Sequence, residues 1–86
     1  MMETAPILPL VEIHTGERAI VREFRAGRAV QNRLASLGFT PGVDVAMTQN
    51  YGFGPLIVTV RGTRVALGRG EAAKILVERG GNGRKS

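Results

Sequence analysis

The sequence predicts an all-β protein, a small barrel of about five short strands with one short α-helix inserted between the first two strands. Three observations carry this expectation. Apolar residues alternate with polar ones in several short runs, each closed by Gly, Pro or Asn. A single segment departs from that period and takes helical spacing instead. A flat sheet of such short strands would leave two open edges, and closure into a barrel covers them.

The chain has 86 residues, enough for one domain with a thin core. A hydrophobic share of 43% is that of a folded globular chain. Cysteine is absent, which removes disulfides, thiolate metal sites and cysteine nucleophiles together and suits a reducing compartment. Twelve Lys and Arg stand against seven Asp and Glu, and ten of the twelve are Arg. A sequence pI near 11.1 is compatible with nucleic acid, an anionic membrane surface or an acidic protein partner. The charges are scattered, however, and no run of five basic residues occurs, so a solvated basic surface is the simpler reading. Pro6 and Pro9 interrupt the apolar start, no basic segment precedes it, and no stretch approaches the roughly 20 apolar residues of a membrane span. A cytoplasmic protein is expected, meeting a membrane only through a partner.

Residues 1–9 read as a flexible arm, 10–78 as the folded domain and 79–86 as a flexible basic tail with three glycines and no apolar residue. Leu10, Val11, Glu12 and Ile13 suggest a single turn closed by Thr15-Gly16. Residues 19–24 alternate as the first strand, with Ile20, Arg22 and Phe24 on one face and Ala19, Val21 and Glu23 on the other. Both faces mix apolar and charged residues, so which one is buried stays open.

Val30, Leu34 and Leu37 then fall at i, i+4 and i+7, one face of a helix over residues 28–37. Gly38 stands where a left-handed helix end is wanted, and Pro41 forbids continuation. Thr40-Pro41-Gly42-Val43 is a β-turn, with proline at its second position and glycine at its third. Val43, Val45 and Met47 form the buried face of a second strand, and residues 50–55 a loop. Leu56, Val58 and Val60 mark a third strand, which the tight connection Arg61-Gly62-Thr63 turns into a fourth over residues 64–67. Residues 70–73 suggest one helical turn, and 74–78 a last strand. The whole pattern is that of an SH3-like barrel with an inserted helix.

Reactive chemistry is not evident. His14 is the only histidine and precedes Thr15-Gly16, so it reads as a surface turn residue. Glu12 and Glu17 are the acidic pair nearest in sequence, and no carboxylate combines with Ser or His at a catalytic spacing. The glycine-rich pieces Gly52-Phe53-Gly54-Pro55 and Gly68-Arg69-Gly70-Glu71 lack the strand–loop–helix setting and the Lys-Ser/Thr of a phosphate cradle. Ferrous iron would want imidazole and carboxylate ligands, and no ligand set is visible; no intrinsic cofactor is expected. With few aromatics, stacking on single-stranded nucleic acid is poorly supported, and nucleic acid is not an expected partner.

The segment Arg33-Leu34-Ala35-Ser36-Leu37-Gly38-Phe39-Thr40-Pro41-Gly42 resembles the FeoA family, the small cytosolic component of bacterial ferrous iron transport. Gly54-Pro55, residues 56–60 and Arg61-Gly62 resemble that family's central hairpin. Ala66-Leu67 with residues 71–77 resembles its closing segment, and Pro9-Leu10 with Thr15-Gly16-Glu17 its opening. Glu23, at a position usually apolar, and the basic tail depart from the pattern.

The resemblance implies a non-enzymatic accessory protein, without catalytic residues, that assists a large ferrous iron permease bearing a cytosolic GTP-binding domain. The expected contact surface is the helix and its exit, Arg33, Leu37, Phe39, Thr40 and Pro41, with Tyr51 and Phe53 on a nearby loop. Leu34, Gly38 and Gly42 are read as shaping the fold. The alternative is a free-standing SH3-like domain of an iron-dependent regulator, or a nucleic-acid-binding module. That alternative lacks a helix-turn-helix, and scattered phosphate contacts would be nonspecific. Whether one of the ten arginines acts in trans on the permease GTPase, and whether the chain self-associates, stay open.

Overall fold

The computed structural model describes residues 6–80. In chain order the elements are β1 (Ile7–Pro9), a 3-10 turn (Leu10–Glu12), β2 (Arg18–Phe24), α1 (Arg28–Ser36), β3 (Asp44–Gln49), β4 (Leu56–Val60), β5 (Thr63–Leu67), α2 (Arg69–Ala72) and β6 (Ile75–Arg79). The strands form one curled antiparallel sheet in the order β1-β6-β2-β3-β4-β5.

There are six strands, one more than expected. The addition is β1, taken from residues expected to be a flexible arm: Ile7, Leu8 and Pro9 pair with Glu78, Val77 and Leu76 of β6. Leu8 packs against the core. Prolines within and before an otherwise apolar run read as a loose arm, yet they are compatible with an outermost strand, where an N–H is not needed on the open side. The helix therefore lies between the second and third strands rather than the first two. The folded body extends beyond 10–78 at both ends, since Arg79 belongs to β6. Residues 1–5 of the expected arm and 81–86 of the expected tail lie outside the described residues.

The ambiguous faces of β2 have a cause. Val21 pairs with Val77 and Glu23 with Leu76, so Arg22 is an extra residue, a bulge. Before it Ala19 and Val21 are buried; after it Glu23 is exposed and Phe24 turns onto the core. The bulge exchanges the two faces mid-strand, which accommodates Glu23.

Helix α1 ends as its sequence predicts. Gly38, at φ 104°, donates its N–H to the Ala35 carbonyl (2.9 Å), and Phe39 donates to the Leu34 carbonyl (3.0 Å). This is the Schellman arrangement, and it folds Phe39 back beside Leu34 into the core. Val43 donates to the Thr40 carbonyl at 3.0 Å, with Gly42 at φ 93°, closing the following β-turn. The core is wholly apolar, built from the inward residues of β2, β3, β4 and β6 around Leu10, Leu34 and Phe39.

Candidate functional site

The seven expected contact residues form two groups, apart from Arg33 and one exception. The exception is Phe39, which is fully buried and belongs to the core. Exposure was expected from its place after Gly38 on a connection; the Schellman turn instead aims that position back at the helix it leaves.

Leu37, Thr40 and Pro41 gather at the exit of α1, beside the β4–β5 hairpin. Leu37 is 37% exposed, and Pro41 is exposed as well. The hairpin turn is Arg61-Gly62, with φ of 52° and 79°, the type I′ geometry that needs positive φ at both positions. Arg61 is the only non-glycine residue with positive φ among the described residues. Its guanidinium Nη2 donates to Thr40 Oγ1 at 3.2 Å, which joins the hairpin tip to the helix exit. Arg33, on the same helix, is committed elsewhere: its guanidinium pairs with the Glu71 carboxylate and ties α1 to α2.

Tyr51 and Phe53 do not lie beside that group. They sit on the β3–β4 loop, at the far end of β3 from the turn at Thr40. The six residues of β3 separate the two by about 17 Å along the strand. Tyr51 is 66% and Phe53 73% exposed, and their ring centroids are 6.5 Å apart, tilted at 45°. Two bare aromatics on a surface loop are held there by an ordered base.

That base is Asn50, a residue sequence reasoning passed over. Its Nδ2 donates to the carbonyls of Val11 (3.0 Å) and Ile13 (2.8 Å), and its Oδ1 accepts from the Gly52 N–H (3.0 Å). Its own N–H donates to Thr15 Oγ1 at 2.8 Å. Arg69, from α2, donates Nη1 to both Asn50 Oδ1 and the Gly54 carbonyl at 3.2 Å. The loop is therefore fastened on three sides, and an Asn beginning a Gly-rich turn was the only sequence signal of it.

Beside the loop lies an open cleft of about 600 Å³, lined by Val11, Glu12, His14, Asn50, Tyr51, Gly52, Arg69 and Arg79. Glu17 borders it. The Glu17 carboxyl is held below its ordinary value, first by a hydrogen bond from the His14 N–H (2.7 Å); partial burial opposes this, and the Arg79 guanidinium, 3.2 Å away, reinforces it. His14 Nδ1 stands 3.7 Å from Glu17 Oε1. One imidazole and one arginine-paired carboxylate do not assemble a metal site, and no group of three or more potential ligands occurs among the described residues. No helix among the described residues is long and apolar enough to cross a membrane.

Fold and site together define a small SH3-like module whose distinctive surface is an ordered aromatic loop beside a cleft. Residues 8–79 match the family model of the FeoA domain, and the chain belongs to that family. It is 39% identical over 70 residues to a candidate Fe(2+) transport protein A of Methanocaldococcus jannaschii, covering 81% of this chain and 84% of that one. A crystal structure of Stenotrophomonas maltophilia FeoA with zinc superposes with a TM-score of 0.74 at 34% identity, covering 83% of this chain and 89% of that one. That protein is described as a prokaryotic SH3 domain protein and a candidate ferrous iron transport activating factor. A manganese-dependent transcriptional repressor also superposes, with a TM-score of 0.80 at 22% identity over 92% of this chain and 45% of that one. The last likeness shows the fold alone and lends nothing to a regulatory reading.

Proposed function

We propose that this chain is a non-enzymatic accessory protein of ferrous iron transport, acting in the cytoplasm by contact with the membrane iron permease that carries a GTP-binding domain. The observation that carries the contact is the pair Tyr51 and Phe53, each about two-thirds or more exposed on a loop fastened by Asn50 and Arg69. Large exposed rings on an ordered base are the residues on which interfaces concentrate their affinity, because little conformational freedom is lost on binding. Family membership supplies the transport system. Iron is cargo in this reading, and the chain need not ligate it.

Leu37, Thr40 and Pro41, with Arg61, form a second and separate face of the proposed contact, and Arg33 acts in it mainly by holding α1 to α2. The test is co-purification of the chain with the permease's GTP-binding domain, paired with ferrous iron uptake in cells. The double variant Tyr51→Ala/Phe53→Ala is expected to keep its fold and lose association at least about tenfold. Retention of both association and uptake by this folded variant would overturn the loop as the contact.

A further inference from the structure

The antiparallel sheet has two edges of very different character. β1 is three residues long, and Pro9 within it has no N–H to offer. β5 is five residues long, Thr63–Leu67, and contains no proline. It pairs with β4 alone, in the register Val60↔Thr63, Val58↔Val65 and Leu56↔Leu67. Because the hairpin loop has two residues, Val60 and Thr63 exchange both backbone bonds, and so do the pairs two and four residues on. The N–H and C=O groups of Arg64 and Ala66 therefore point away from the sheet. No backbone or side-chain partner meets them among the described residues, and both residues are exposed.

The charge around this edge is one-sided. Residues 45–70 include no Asp or Glu, while Arg61 lies in the turn before β5, Arg64 within it and Arg69 just after it. Elsewhere the arrangement differs: Arg18 pairs with Asp44, Arg22 with Glu78, Arg33 with Glu71 and Arg79 with Glu17. Arg64 has no carboxylate partner among the described residues and projects from the outer face of β5. On the inner face Val65 is half-buried against the core.

We infer that β5 is a docking edge for an extended acidic segment of a partner protein, which adds to the sheet as a seventh strand. Its backbone would bond to the outward N–H and C=O groups of Arg64 and Ala66. Its alternate side chains would meet two different surfaces, carboxylates toward Arg64 and apolar residues toward Val65. A second copy of this chain is a poor occupant, since it would bring the same carboxylate-free arginine field to its own image. Unlike a generic basic patch, the edge demands strand backbone as well as negative charge. The inference does not depend on the loop of Tyr51 and Phe53, which lies outside β5.

The experiment uses the full chain, 15N-labelled, titrated with a capped heptapeptide of alternating Val and Glu. The amide signals of Arg64 and Ala66 are expected to shift and their protons to gain exchange protection. A Val/Lys peptide of the same length, and a Val/Glu peptide N-methylated at every residue, should each bind at least about fivefold more weakly, one lacking the negative charge and the other the backbone donors. Arg64→Glu, an exposed change, should weaken the Val/Glu peptide similarly, while Tyr51→Ala/Phe53→Ala leaves it unaffected. The inference is overturned if the N-methylated peptide binds as well as the parent, or if a short DNA duplex competes equally. Shifts confined to residues outside β5 and its flanking turns, or pairing of β5 with a second copy in the absence of peptide, would overturn it too.

Discussion

The side-chain amide of Asn50 donates to the carbonyl oxygen of Ile13 at 2.8 Å, linking positions 37 residues apart in the chain. Through this bond the loop of Tyr51 and Phe53 is fixed to the segment after the 3-10 turn, beside the cleft that Asn50 and His14 both line. A part-buried amide that satisfies two carbonyls and caps its own turn cannot be removed without leaving acceptors unmet.

Asn50→Ala is accordingly expected to lower stability by about 2 kcal/mol, the sum of two part-buried hydrogen bonds at roughly 1 kcal/mol each. Urea denaturation measures this. The amide protons of residues 51–54 should exchange faster than in the parent chain by more than the global loss explains. Uniform acceleration across the sheet instead would mean that Asn50 does not specifically order the loop.

Phe39→Ala is expected to cost about 3–5 kcal/mol, because the ring is fully buried beside Leu34. Tyr51→Ala and Phe53→Ala should each stay within about 0.5 kcal/mol of the parent, both rings being exposed. Thermal denaturation separates the two classes. A substitution such as Phe39→Asp therefore reports on folding and says nothing about partner contact.

Gly38 and Arg61 occupy the left-handed region with opposite consequences. Gly38→Ala forces a Cβ onto φ 104° and should cost about 1–2 kcal/mol, although the space around it holds only ordinary contacts near 3.5 Å. Arg61→Asn should stabilise by about 0.5 kcal/mol, since Asn-Gly suits a type I′ turn better than Arg-Gly. If iron uptake falls in Arg61→Asn while the melting temperature rises, Arg61 holds its strained position for contact. Unchanged uptake would leave it a turn residue.

Glu17 makes stability depend on pH. Its folded carboxyl lies below the ordinary value of 4.5, so its contribution is complete above the unfolded pKa and is lost as pH falls through the folded one. Glu17→Gln should lower stability at pH 7 by about 0.5–1 kcal/mol, the range for a partly exposed charged hydrogen bond and ion pair. Denaturation at pH 7 and in more acid solution checks it: the difference between parent and variant should shrink below about pH 4.5. A difference that stays constant with pH would exclude the carboxylate as its source.

Much of this fold was legible because local chemistry and tertiary need agree. The Gly38 stop, the Thr40-Pro41-Gly42 turn, the alternating faces of β3 and β4 and the hairpin at Arg61-Gly62 all follow from period and backbone preference. Strand β1 was not legible: three residues that follow one proline and end on another bear no periodic signal, and only β6 makes them a strand. The mixed faces of β2 likewise required the bulge at Arg22, which exists only because Leu76 faces two residues.

The candidate site divides along the same line. By itself the sequence determined that Tyr51 and Phe53 stand on a turn-rich loop and that Leu37 and Pro41 end a helix, because those properties depend on near neighbours. Only the tertiary structure decided that the two groups lie at opposite ends of β3, that Phe39 is core, and that Arg33 is held by Glu71. Those facts depend on contacts between distant parts of the chain, which one-dimensional spacing does not encode. Which cations keep a carboxylate partner, and so where the surface remains positive, is likewise set by the pairing of β5 with β4 alone, a strand that holds no acidic residue.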